Sequence, residues 1–211
     1  MRSLIKDELR SLKTHFPNQT SPGFWTTVSA TLKSPMQELP DYPGVLLLLS
    51  SPESSDTAQC LARRLSALSS KVLARPGLTP PPPSSLAVDC ALLPPSPSLA
   101  KEQLTSLLHT CLSSGSAAAL LHLELLHPLA ALTLHAFADN SNAPYKQAVL
   151  VASLEEGRGE GECRLEQRAE HELRRRWLEE LGHDKLAALL SRVVVNVVEV
   201  HREEVGTDCA W

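Results

Sequence analysis

Residues 44–65, GVLLLLSSPESSDTAQCLARRL, have the outline of a phosphate-binding unit: a buried strand, a short turn, then an amphipathic helix. Cradling a phosphate in such a unit depends on glycines, whose backbone N–H groups wrap the anion. It also needs a Lys and a Ser or Thr for the terminal phosphates and Mg²⁺. The turn here, SSPESSDT at residues 50–57, contains no Gly and no Lys. It places Glu53 and Asp56 at the start of the helix, where the dipole otherwise favours an anion. The expectation is a degenerate P-loop that binds no nucleotide. A nucleotide hydrolase would also need an acid pair after the apolar run 117–123, and Glu124 stands there alone.

Other reactive groups point to no second chemistry. The five cysteines (Cys60, Cys90, Cys111, Cys163 and Cys209) include no CxxC pair, which excludes a zinc ribbon or a thioredoxin motif by spacing. His109, Cys111, His122, His127 and His135 lie close in sequence but not at metal-ligand spacing on one helix; no metal or other cofactor is expected. A hydrolase would need an activated nucleophile, yet Cys111 sits on an apolar helix stripe and no G-x-S-x-G elbow occurs.

Bulk properties narrow the class further. A chain of 211 residues suits one domain with a sizeable core. With 43% hydrophobic but only 4% aromatic residues, Leu, Val and Ala must fill that core. The net charge of −4 leaves no electrostatic footprint for nucleic acid. The basic run Arg174, Arg175, Arg176 is interleaved with Glu166, Glu170, Glu172, Glu179 and Glu180, and reads as a solvated helix face. No segment is apolar enough to span a membrane, and the charged N-terminus is no secretory signal. Asn18-Gln-Thr20 is a glycosylation sequon, a weak pointer to a lumenal or extracellular setting.

The elements that must position these groups follow from hydrophobic periodicity. Helices are expected over residues 4–16, 24–33, 56–70, 101–113 and 165–181. A further helix starts near Pro128, and a short one is capped by Asp184. Strands are expected at 45–49, 117–123, 147–154 and 193–200, the first being a continuous apolar run suited to burial on both faces. The apolar piece LAVDCALL lies between two proline-rich loops. Alternating strands and helices predict an α/β domain with a mainly parallel central sheet flanked by helices, preceded by a helical segment at residues 1–42.

Several stretches, in this order, resemble one family. They are HFPNQ…GFW at residues 15–25, the strand–helix unit containing Cys60, DNSNAPYK at 139–146, DKLAALLSRVVVNVV at 184–198, and Cys209. Together they look like the lumenal domain of the torsin-interacting proteins, the lamina-associated polypeptide family, over roughly residues 16–211. The resemblance implies an AAA+-like nucleotide-binding-domain fold that binds no nucleotide. Such a domain docks beside a torsin, an AAA+ ATPase of the endoplasmic reticulum lumen and nuclear envelope, and stimulates its hydrolysis. It implies a partner-binding region including Leu123, Glu124, Asp139, Asn142 and Lys146. Membrane anchoring is implied too, although this sequence holds no transmembrane segment to supply it. A disulfide between Cys60 and Cys209 is implied as well, against the alternative of two unpaired thiols. It would close a loop of about 149 residues, worth on the order of 4–5 kcal/mol in the chain-entropy model.

The sequence departs from that family at one consequential place. The family supplies an arginine in trans to the torsin's ATP, a device worth roughly 10³ to 10⁵ in rate. Here the matching stretch is LLHLELLHP, residues 120–128, which puts His122 at that position, or Leu123 after a one-residue shift. Imidazole lacks the planar fork of guanidinium, so His122 is either a weak finger or a satisfied strand-end histidine. No arginine lies between Arg75 and Arg158. Three functional readings follow: an activating torsin cofactor, a non-activating torsin-binding competitor, or a generic α/β interaction scaffold.

Overall fold

The computed structural model describes residues 2–73, 86–113, 116–157 and 163–204. Cys209, the proline run at 80–83 and most of the Gly/Glu-rich segment 155–162 lie outside the described residues.

Five parallel strands form one sheet in the order β2-β3-β4-β1-β5: β1 (Gly44–Ser50), β2 (Leu86–Asp89), β3 (Ala117–Leu121), β4 (Val149–Glu155) and β5 (Val197–Val200). The apolar run of β1 is buried along its whole length because it pairs on both sides, with β4 from Gly44↔Val149 to Ser50↔Glu155 and with β5 from Leu47↔Val197 to Ser50↔Val200. Period-two alternation then deals its side chains to two cores. Leu47 and Leu49 face α4 (Pro97–Leu112), α5 (Pro128–Phe137) and α6 (Leu165–Val193). Leu46 and Leu48 face α1 (Arg2–His15), α2 (Phe24–Lys33) and α3 (Ser55–Leu73). The N-terminal helices therefore share a core with the sheet, with Ile5, Phe16, Phe24 and Val28 packed in it. At Gly44 the α2 backbone comes so close that a Cβ would lie 2.6 Å from the Thr31 carbonyl oxygen.

Three elements differ from expectation. LAVD of the short apolar piece is an edge strand, too brief to carry a periodic signal. The break in α6 falls at Gly182, whose φ of 72° and ψ of 169° suit glycine, and not at a cap formed by Asp184. The β-branched run begins as helix: Val193 ends α6, Val193 and Val194 are buried in the core, and the strand starts only at Val197. Packing overrides intrinsic preference there.

Loop 16–21 clamps the exit of β5. The Gln19 side chain accepts from His201 N (2.9 Å) and donates to His201 O (2.7 Å), while Asn18 Nδ2 donates to Arg202 O (2.9 Å). The buried Glu203 carboxylate accepts from Asn18 N and Gln19 Nε2, both at 2.9 Å. The PNQ motif thus does structural work, and Asn18 is exposed but engaged. No helix of the described residues is long and apolar enough to cross a membrane.

Candidate functional site

The carboxyl ends of the strands collect the groups singled out in the sequence, as the topology of an open parallel sheet dictates. The turn after β1 is closed on itself. Ser51 N donates to Ser54 Oγ (3.1 Å), Ser54 N donates to Ser51 O (3.0 Å), and the two hydroxyls lie 3.2 Å apart. The 3-10 turn Pro52–Ser54 thereby spends on serines the backbone groups that a phosphate loop would turn outward, and Glu53 and Asp56 stand exposed beside it.

After β3 the chain turns sharply. His122 occupies the left-handed region (φ 54°, ψ 54°), where it is the single non-glycine residue with positive φ among the described residues. Histidine tolerates this better than most residues, at a cost of roughly 1 kcal/mol. His122 N donates to Ser153 Oγ at the end of β4 (3.0 Å). The buried Glu124 carboxylate explains the ring's orientation: Oε1 lies 3.1 Å from His122 Nδ1, and Oε2 accepts Glu155 N at 2.9 Å. An ionised carboxylate only accepts, so Nδ1 carries the proton and Nε2 is the free ring nitrogen. Both oxygens of Glu124 are thus engaged within the chain, one by a side chain and one by the backbone. Leu123 points the other way and is fully buried in the core, so it makes no contact with a partner in this conformation.

The other expected partner-binding residues are at the opposite, amino-terminal end of the strands. Asp139, Asn142 and Lys146 lie in the connection from α5 to β4, separated from His122 by the length of the sheet, about 20 Å. Asp139 accepts from Asn142 N (2.6 Å), Ser141 N (2.8 Å) and Arg192 Nε (2.8 Å). Those two backbone N–H groups and the guanidinium hold its pKa at about 2, below the ordinary 3.8. A carboxyl lowered in the folded state stabilises the fold above its unfolded value and loses that contribution as pH falls through about 2. Asp139→Asn is therefore expected to lower the urea midpoint at neutral pH, with the gap to wild type closing between pH 4 and pH 2. A gap independent of pH would show that the ionised form plays no part.

Helix α6 carries what the sequence reading missed. Arg168 donates to Glu156 (Nε, 3.1 Å, and a second contact through Nη2) and to Glu199 (2.9 Å), tying α6 to the ends of β4 and β5. Those carboxylates, Glu156 first, push its already high pKa up. Glu172 is 4% exposed and accepts from Arg175 Nη2 (2.6 Å), Arg176 Nε (2.9 Å) and Gly157 N (3.4 Å). Burial works against its charge, but Arg175, Arg176 and the Gly157 N–H outweigh it and hold its pKa below the ordinary value. The mixed-charge helix is thus not merely a solvated face. Its i, i+3 and i, i+4 spacing was visible, but the burial of Glu172 was not.

A cleft of about 450 Å³ opens beside Glu124, lined among others by Cys90, Leu125, His127, Arg176 and Trp177. His127 Nδ1 accepts from Leu129 N (3.2 Å), so its Nε2 carries a proton toward Glu180, 3.6 Å away. Burial and the nearby Asp89 and Glu124 push the Cys90 thiol well up, which makes it a poor nucleophile. His109 bonds Tyr145 OH (2.8 Å), and Cys111 packs in the core. Among the described residues no group of three or more His, Cys, Asp or Glu is placed to hold a metal. Cys60 is buried and is a half-cystine, Cys90 and Cys163 are free thiols, and the Cys111 thiol donates to the Ala117 carbonyl at 3.3 Å.

The five-stranded parallel sheet with helices on both faces, its turn after β1 and its acidic corner after β3 define an AAA+-like nucleotide-binding-domain fold. Among solved structures the chain is similar to the AAA+ protein Hsp104, in a closed-state cryo-EM reconstruction with ATPγS and FITC casein. The TM-score is 0.60 at 14% identity, over 94% of this chain. The chain spans 36% of the length of that one, and the likeness establishes the fold. No family model and no curated protein matches the sequence.

Proposed function

We propose that the chain is a regulatory AAA+-like domain that binds a torsin-class AAA+ ATPase and modulates its hydrolysis, without binding or hydrolysing nucleotide itself. The observation that carries this reading is an AAA+ fold whose phosphate turn is stapled by Ser51 and Ser54 and whose Glu124 is consumed internally. A fold kept after its own site has closed still has the shape of a ring neighbour. The collinear motifs that resemble the torsin-interacting proteins support a torsin as the partner, and imply the nuclear envelope or endoplasmic reticulum lumen as the place and a Cys60–Cys209 disulfide as the staple.

A second reading is favoured by one observation: the position that the resemblance gives to the family's arginine holds His122, or Leu123 after a one-residue shift, and neither is an arginine, which suits a torsin binder that competes with activators. The test is ATP turnover by a purified torsin, alone and with this chain, beside co-precipitation in ATP and in ADP. Binding that requires ATP is expected. If His122 is the contact, His122→Arg raises stimulation about tenfold, the worth of one improved charge-assisted hydrogen bond. Equal capture in ATP, in ADP and by an unrelated AAA+ protein would reduce the chain to a generic scaffold.

A further inference from the structure

We propose that Arg176, not His122, supplies the positive charge that this face offers to the terminal phosphoryl group of a nucleotide held by the partner ATPase. The inference rests on the torsin-partner reading and assigns the group that acts in it.

The argument begins with what His122 can present. Its Nδ1–H is committed to Glu124, so the neutral ring turns an acceptor, Nε2, outward. An acceptor is the wrong polarity for a phosphoryl oxygen. Residues 76–157 contain no arginine, yet α6 carries Arg176 across to the cleft that Glu124 and Leu125 also line. Its guanidinium is held by one edge only. Nε donates to the buried Glu172 Oε1 at 2.9 Å, while the two terminal nitrogens are left to donate elsewhere. The side chain is 35% exposed, so the fork is anchored at its base and open at its tip.

Charge favours the same assignment. Glu172 is shared by two guanidiniums, so it does not fully neutralise Arg176, the arginine that lines the cleft. Glu124 is the opposing carboxylate of the cleft, with its oxygens turned to His122 and Glu155 N. A planar fork held at one end is the arrangement that suits bidentate phosphoryl recognition, and a lysine cannot reproduce it.

The experiment compares wild type, Arg176→Gln, Arg176→Lys and His122→Ala in stimulation of torsin turnover and in co-precipitation with ATP-loaded torsin, with circular dichroism melts of each. The expected result is that R176Q melts somewhat lower than wild type, because Glu172 loses a charged donor, yet stays folded and binds ATP-loaded torsin like wild type, while stimulated kcat falls about tenfold or more with the half-saturating concentration of the chain unchanged. R176K is expected to restore less than half of that loss, and H122A to keep most of the stimulation. Stimulation that survives R176Q or R176K unaltered and vanishes in H122A overturns the proposal and leaves the torsin reading standing. Binding by wild type without stimulation does the same. Absence of any binding by wild type overturns both.

Discussion

Trp177→Ala is expected to lower the stability of the domain by about 3–5 kcal/mol, close to the limit that a marginally stable fold tolerates. Trp177 is fully buried in the core under α4, α5 and α6, and its Nε1–H donates to the Leu126 carbonyl at 3.1 Å. Truncation opens a cavity in a region of close-packed Leu and Ala that has few ways to collapse, and leaves the Leu126 carbonyl without its donor. Trp177→Phe separates these effects. It fills most of the volume and is expected to cost about 1–3 kcal/mol, chiefly for the lost hydrogen bond. The consequence reaches the functional edge, because Leu126 closes the 3-10 turn Leu123–Leu125 that carries Glu124. Urea denaturation followed by far-ultraviolet circular dichroism measures both variants. A cost below about 1 kcal/mol for Trp177→Ala would mean that α6 is not anchored there.

How much of this was legible in the sequence depended on whether a signal was local. The runs GVLLLLS and AAALL announce strands covered on both faces, and each became a central strand. LAVD is an edge strand of only four residues, all of them paired on one side alone, and no period can be read from so few. The missing glycines of the phosphate turn were plain; that Ser51 and Ser54 replace them by capping each other was not. His122 was singled out through the resemblance, inside a run expected as strand to residue 123; the strand ends at Leu121, and the left-handed backbone of His122 has no sequence signature in a residue other than glycine. The charged residues of α6 misled for a related reason. Glu172, Arg175 and Arg176 have the spacing of a surface ion network, and only the approach of Gly157 and the core buries the carboxylate at its centre. Asp139, Asn142 and Lys146 were grouped with Glu124 because a motif is linear, while a parallel sheet puts the connection leaving β3 and the one entering β4 at opposite ends of the strands.

Glu124 gives the second large effect, and one that separates structure from chemistry. Glu124→Ala removes the acceptor for Glu155 N and for His122 Nδ1 at once, and an orphaned buried donor costs about 1–3 kcal/mol. The backbone N–H has no ready substitute, whereas the His122 side chain, 23% exposed, can turn to water. A net loss of about 2–3 kcal/mol is therefore expected. Glu124→Gln has nearly the same shape but only one acceptor oxygen, and the backbone N–H is the donor that cannot flip. The oxygen should stay on Glu155 N, which sets the amide N–H₂ against His122 Nδ1 and drives the ring to the other tautomer. Nitrogen-15 shifts of His122 would record this exchange of the protonated nitrogen, at a stability cost of only about 1 kcal/mol. An unchanged tautomer in Glu124→Gln, together with a negligible cost in Glu124→Ala, would show that the pair does not form. The outward nitrogen matters for function. In wild type the neutral His122 ring turns a lone pair outward, because its Nδ1–H is given to Glu124. In Glu124→Gln it turns an N–H outward instead, so if His122 contributes to the proposed stimulation of torsin turnover that contribution should rise in this variant, and a contribution carried by Arg176 should not change.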